Sequence, residues 1–281
     1  MAFDSDYANP EVPHEVNVSA SSPVRDFLRL TLGLFLITVA VTAGVYYAAR
    51  WWAPLIPFHY ETALASTVID DDAPPSCAAA GTQALQTLAE GLAAKMDLPA
   101  EMSIRVHFSS SKEPNAFATL GGNIVINKGL LTSVHSENAL AMVMAHEIGH
   151  IKHRDPIVAL GGGVAVAVIF STVIGGADGG ALVGWAIGFT QMSFSREQET
   201  RADRDALAAL QGYYGYTNGA DEFFDYITRE YPRLAQMPAF ISTHPTPPSR
   251  LQSIRASFSA ASPQPKPLPP AIAQLRTCIE D

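Results

Sequence analysis

The chain has 281 residues, of which 48% are hydrophobic, with a mean hydropathy of +0.12 and a net charge of −9. That length supports one sizeable core with an appendage. The acidic balance leaves no basic stripe to neutralise phosphates and argues against a nucleic-acid partner, while the apolar excess must sit somewhere.

Residues 1–24 are polar, acidic and proline-containing, and read as a disordered tail. Residues 25–52 read as a transmembrane anchor. Leu30 to Ala49 is twenty residues without a charge, enough to cross the ~30 Å hydrocarbon core as a helix. Tyr46, Tyr47, Trp51 and Trp52 fall near its end, where amphipathic rings favour the interface. A cleaved signal peptide fits poorly, because about two dozen residues precede the run. Arg25 and Arg29 before the helix and Arg50 after it favour a cytoplasmic N-terminus and an exported main domain.

Residues 53–76 read as a linker containing D-D-D-A-P-P, and the folded domain is expected over 77–258. Leu85, Leu88, Leu92 and Met96 recur at helical spacing within Ala79 to Met96. Ile104, Val106 and Phe108 alternate with polar residues, as in a half-buried strand. Ala116 to Ile126 reads as strand, Gly121-Gly122 turn and strand. Helices are expected over Asn138 to His153, over residues 196–211, and over Asp221 to Tyr231, the last halted by Pro232.

Two apolar runs, Ile157 to Gly176 and Gly179 to Ser195, flank Asp178. If the residues on either side of them share one site, this stretch crosses a membrane an even number of times. The hairpin 157–194 therefore either dips into the bilayer or packs as a buried helical pair. Residues 259–281 read as a proline-rich tail, extended or mobile, with five prolines between Ser262 and Pro270. The two cysteines, Cys77 and Cys278, could form one bridge in an oxidising compartment or be unrelated thiols.

The densest chemistry lies at His146, Glu147, Ile148, Gly149 and His150, which spell H-E-x-x-H. On a helix, positions i, i+1 and i+4 share one face. Two imidazoles can then hold one Zn2+ per chain while Glu147 points at the water on that ion. The sequence I-K-H after the motif excludes the metzincin pattern, and His153 reads as a surface histidine. The third ligand must come from a distant helix. Glu197 and Glu199, in S-R-E-Q-E-T-R-A-D, are the candidates, and spacing does not choose between them.

H-E-I-G-H followed some fifty residues later by E-T-R-A-D resembles peptidase family M48. The resemblance implies an α+β, mainly helical, zincin-like (gluzincin) metalloprotease domain with a small β-sheet, here behind an N-terminal transmembrane helix. It selects Glu199 as the third zinc ligand, with Asp203 accepting the free ring N–H of a ligand histidine. The segment P-N-A-F-A-T-L-G-G-N-I-V-I-N-K-G-L-L resembles the family's strand hairpin, whose edge pairs with extended substrate. Asn115, Ala116, Phe117, Gly121 and Gly122 are the substrate-binding residues this implies. S-T-H-P-T-P-P-S-R-L likewise resembles a segment in which His244 would stabilise the oxyanion, with Arg250 its downstream partner.

The activity implied is that of a membrane-anchored zinc metalloendopeptidase with its catalytic domain outside the cytoplasm. Glu147 is the general base, and the substrates are proteins or peptides in extended form. A role in quality control of misfolded membrane or envelope proteins is the expectation. The alternative is a non-catalytic, zinc-containing, chaperone-like protein that uses the same groove.

Overall fold

The computed structural model describes residues 22–66, 76–163, 194–230, 244, 248–258 and 263–278. In chain order the helices are α1 (Pro23–Trp52), α2 (Phe58–Ala65), α3 (Ala79–Ala93), α4 (Lys128–Ser133) and α5 (Glu137–Lys152). They continue with α6 (residues 155–163), α7 (Arg196–Tyr214), α8 (Glu222–Glu230), α9 (Pro248–Ala256) and α10 (Pro270–Gln274). The strands are β1 (Arg105–Ser109), β2 (Ala116–Ala118) and β3 (Asn123–Asn127). The protein is mainly helical with one small sheet.

Residues 1–44 form one unit and the rest of the chain another. Within the first, α1 buries none of its side chains. Pro23–Leu55 is the one helical stretch among the described residues that is long and apolar enough to cross a membrane.

In the second unit, β3 is central: β1 runs parallel to it on one side and β2 antiparallel on the other. β2 is therefore an edge strand. Ile124 and Ile126 of β3 are fully buried, as the alternation of the sequence requires. The core around them contains Leu85, Leu88 and Leu92 of α3 and the apolar residues of α5. Every residue of α5 from Asn138 to Ile151 is buried. A helix buried all round in this way stands in the middle of a domain, and its buried His146, Glu147 and His150 need polar partners there. Ser136 starts it by accepting the Ala139 N–H at 3.1 Å.

Helix α7 crosses α5 closely. A Cβ on Gly149 would lie 3.1 Å from the Ala202 Cα, so a larger residue at either position would push the two helices apart. α7 begins with a capping box between Ser195 and Gln198 and ends at Gly215, whose φ of 82° suits glycine.

Two stretches differ from their sequence reading. The linker of 53–76 holds a short 3₁₀ turn and α2, whose Phe58, Glu61 and Ala65 are buried. Gly121 of the β2–β3 turn lies against this helix: a Cβ there would fall 2.9 Å from the Thr62 Cα.

The proline-rich tail of 259–281 is, over residues 263–278, a strap on the core. Leu268, Ile272, Leu275 and Cys278 join the main cluster. Lys266 O accepts the Glu137 N–H at 2.7 Å, and the Arg276 guanidinium caps the Leu131 and Val134 carbonyls at 2.8 and 2.6 Å. The prolines exclude a long helix, but the apolar residues between them still find a place to bury. Cys278 is disulfide-bonded to Cys77, with the Cα atoms 5.6 Å apart. The expectations for residues 1–21 and for the D-D-D-A-P-P stretch lie outside the described residues. So do those for the hairpin over 164–193, the Pro232 stop and the last three residues.

Candidate active site

His146 and His150, one helical turn apart on α5, project toward α7 with their Nε2 atoms 3.0 Å apart. Glu199, in the first turn of α7, reaches between them. Its Oε2 lies 3.4 Å from His146 Nε2 and its Oε1 lies 3.4 Å from His150 Nε2. All three residues are buried. The close crossing at Gly149 and Ala202 allows a carboxylate as short as glutamate to span the gap.

The outer nitrogens of both rings are occupied. His146 Nδ1 is 2.9 Å from Asp203 Oδ1, and His150 Nδ1 is 2.8 Å from Asp155 Oδ2. If each Nδ1 donates its proton to that carboxylate, both Nε2 atoms present bare lone pairs to one another and to Glu199. A cation between them would satisfy that arrangement. Ligands 2.0–2.1 Å from a tetrahedral ion stand roughly 3.3 Å apart, and the three spacings above match. The donor set therefore fits a divalent metal.

The surrounding charges favour a cation at the same point. Burial alone would pull both imidazoles down, yet His146 and His150 are shifted upward, because Glu199, Asp203 and Asp155 outweigh it. Burial would likewise raise Glu199, but His244, His146 and Arg250 hold it well below the usual carboxylate range. Asp203 is lowered against the same burial, by its bond to His146 and by Arg250.

Arg250, on α9, ties the carboxylates together. Its Nη1 is 2.6 Å from Glu199 Oε2, and its Nε is 2.5 Å from Asp203 Oδ2. Its guanidinium carbon sits 4.8 Å from the centre of the Phe224 ring. His244 lies beside the ligands, with Nδ1 2.9 Å from Glu199 Oε1 and Nε2 3.5 Å from Glu147 Oε1. With His146, His150 and Glu199 it forms a group whose ligand atoms all lie within 4.8 Å of one another. Glu147 is 1% exposed, and its Oε2 accepts the Ala118 N–H at 2.8 Å.

The structure thus gathers His146, Glu147, His150, Glu199, Asp203, His244 and Arg250 at one point. Glu197 is exposed on α7, away from them. His153 is partly buried and faces Asp205, its Nε2 2.8 Å from Oδ2. Ala116 and Phe117 lie on the edge strand, with Asn115 just before it. The main chain of β3 is bonded through Asn115 O and the Thr119 N–H. By alternation, Phe117 also pairs with β3, and Ala116 and Ala118 turn their polar groups away from it, the Ala118 N–H onto Glu147. Gly121 and Gly122 are buried in the turn with φ of 70° and 79°. A Cβ on Gly122 would strike the Ser103 carbonyl oxygen at 1.9 Å, so backbone geometry accounts for this pair.

Two contributors escaped the sequence reading. Asp155 offered one signal, a carboxylate five residues past the motif. It accepts from His150, from Gln198 Nε2 at 2.7 Å and from Arg201 Nη2 at 2.9 Å. Phe194 stacks on the His150 ring, with centroids 4.0 Å apart and planes 21° from parallel. No local pattern announced it.

Comparison with known proteins agrees with this geometry. The model of Peptidase family M48 matches residues 79–257, more than half of the chain. A putative beta-barrel assembly-enhancing protease of Vibrio cholerae is 31% identical over 155 residues, 50% of this chain and 32% of that protein. The mitochondrial metalloendopeptidase OMA1 of Schizosaccharomyces pombe is 28% identical over 55% of this chain and 46% of its own length. A protease HtpX homolog of Methylibium petroleiphilum is 32% identical over 59% of this chain and 71% of its own length. The chain spans about a third of the beta-barrel assembly-enhancing proteases it matches. From the matched segment, which contains the buried histidine–carboxylate cluster, the chain belongs to Peptidase family M48.

Proposed function

We propose that this protein is a membrane-anchored zinc endopeptidase that cleaves extended segments of misfolded membrane or envelope proteins. The observation that carries the chemistry is Glu199 between His146 and His150, with Glu147 alongside and aimed at the edge strand. His146, His150 and Glu199 would hold the zinc, which supplies Lewis acidity and an acidified water.

The chain's own residues do the rest. Glu147 takes the proton from the attacking water and passes it to the leaving amine. Its bond to the Ala118 N–H fixes the carboxylate relative to the strand where substrate would lie. A peptide laid along β2 would bond the outward polar groups of Ala116 and the Ala118 carbonyl, a mode that ignores side-chain identity. His244, beside Glu147 and Glu199, would donate to the oxygen on which negative charge develops. Arg250 and Asp203 hold His146 and Glu199 in place.

The Cys77–Cys278 bridge supports a catalytic domain in an oxidising compartment, as does the distribution of arginines around α1. The substrate class rests on relatives named for beta-barrel assembly.

Three variants test this reading, scored for zinc content and cleavage of an unfolded protein. Glu147→Gln should keep zinc and lose on the order of 10²–10⁴ in turnover. His146→Ala and Glu199→Ala should lose the metal. Full turnover in Glu147→Gln would overturn the assignment.

A further inference from the structure

We propose that α2 lies in the membrane–water interface, with Ile56, Tyr60 and Leu64 in contact with lipid, and so seats the substrate strand at the bilayer surface. This rests on reading α1 as a membrane anchor.

The segment after the apolar run also exposes large apolar side chains, with the polar ring of His59 among them. Trp51 and Leu55 are 79% and 73% exposed, and Tyr60 is 60% exposed. Glu61 is the one carboxylate between Val45 and Ser66, and it is 3% exposed. The outer surface of this stretch therefore carries no acidic group. Contiguous exposed apolar surface marks a contact site, and continuity of the chain identifies the contact as lipid.

Twenty residues from Leu30 to Ala49 rise about 30 Å as a helix, which is the hydrocarbon thickness. Trp51 and Trp52 then stand at headgroup level, where tryptophan is favoured. The 3₁₀ turn of Ala53–Leu55 advances the chain only about 6 Å. Ile56 and Pro57 add at most ~7 Å before α2 starts at Phe58, so α2 begins within about two headgroup-layer depths of the hydrocarbon. Its outer side chains suit an interfacial helix.

The inner face of α2 serves the active site. The Glu61 carboxylate pairs with the Arg154 guanidinium at 2.5 Å, just past the end of the motif helix. Phe58, Thr62 and Ala65 abut the turn that joins β2 to β3. One short helix thus touches lipid on one side and supports the substrate-strand turn on the other.

Nitroxide labels on single introduced cysteines test the seating in full-length protein in phosphatidylcholine–phosphatidylglycerol vesicles. The native cysteines are disulfide-bonded, so only the new thiol reacts. Labels go on Tyr60→Cys and Leu64→Cys, with Phe35→Cys in the anchor and Thr87→Cys at an exposed position of α3 as references. Collisions with oxygen should rise, and those with a water-soluble nickel chelate should fall, at 60 and 64 relative to 87. Water-like values at 60 and 64 with lipid-like values at 35 overturn the proposal and leave the anchor intact. Water-like values at 35 as well overturn both.

Low access to both reagents at 60 and 64 means that protein covers the face, which also overturns the proposal. Dilution with unlabelled chain then tells a second copy from this chain's own segment. As the functional arm, Leu64→Asp should lose cleavage of a membrane-tethered peptide and keep cleavage of the same peptide free in solution. Unchanged cleavage of both, or equal loss on both, would overturn the seating role.

Discussion

The carboxylate of Asp155 offers the sharpest test of how the site is held. It is buried and accepts three donors: His150 Nδ1–H, Gln198 Nε2–H and Arg201 Nη2–H, at 2.8, 2.7 and 2.9 Å. Asp155→Asn keeps the volume but removes the charge and turns one of two acceptor atoms into a donor. At least one of the three donors then faces another donor. If that donor is His150, its ring loses the bond that fixes tautomer and orientation. Removing such a partner typically costs about 10–100-fold in metal affinity, or roughly 1.4–2.8 kcal/mol. The Arg201 side chain is 34% exposed, so solvent screens that ion pair and it adds little to the total.

The assay is competition for zinc against a chelator of known affinity, with circular dichroism to confirm the fold. Asp205→Asn is the matched control, since Asp205 pairs with Lys152 and His153 and touches no ligand. Its zinc affinity should stay at the wild-type value. Wild-type zinc affinity in a folded Asp155→Asn would show that the bond to His150 does not organise the site.

Three further outcomes are expected. Reducing the Cys77–Cys278 bond, or replacing both residues with serine, opens a loop spanning 201 positions; it should cost about 2–5 kcal/mol, read by denaturant unfolding, and an unchanged midpoint would contradict the strap's role. Glu61→Gln leaves the Arg154 guanidinium without its carboxylate in a site where it is 13% exposed. That should destabilise the domain by about 3–5 kcal/mol, with partial recovery when Arg154→Met is added; equal stability of the single and double variants would refute the pairing. His153 is held below its ordinary value of 6.5, first by burial and then by Arg201. The folded protein binds this proton more weakly than the unfolded chain does. Stability should therefore fall as pH drops below about 6.5 and level off under the folded-state value. His153→Gln should flatten that part of the profile between pH 7.5 and 5, and an identical slope in both proteins would refute it.

Elements with strong periodicity were readable from the residues. The leucines of α3, the alternation at Val106 and the paired isoleucines of β3 each announce a buried face, and each face is buried. The end of α5 agrees to within a residue, because nothing between Asn138 and Lys152 interrupts the helix. Less legible were segments whose burial depends on a distant partner. Phe58, Glu61 and Ala65 stand at helical i, i+3, i+7 spacing, but a carboxylate in the middle hides the face, and their partners come from the β2–β3 turn and Arg154. The strap at 263–278 misled for a similar reason. Proline density predicts an extended chain, but says nothing of whether Leu268, Ile272 and Leu275 meet a core.

By itself the sequence determined that His146, Glu147 and His150 share one helical face, because the α-helix repeats every 3.6 residues whatever surrounds it. It also determined the edge-strand hairpin and one helix able to cross a bilayer. Only the tertiary structure decided that Asp155 bonds His150, that His146 is the histidine Asp203 meets, that Phe194 stacks on His150, and that β1 lies parallel to β3. Those contacts join residues whose separation along the chain carries no periodic signal; the ones between α5 and α7 exist because Gly149 and Ala202 let the two helices approach closely enough for side chains to meet.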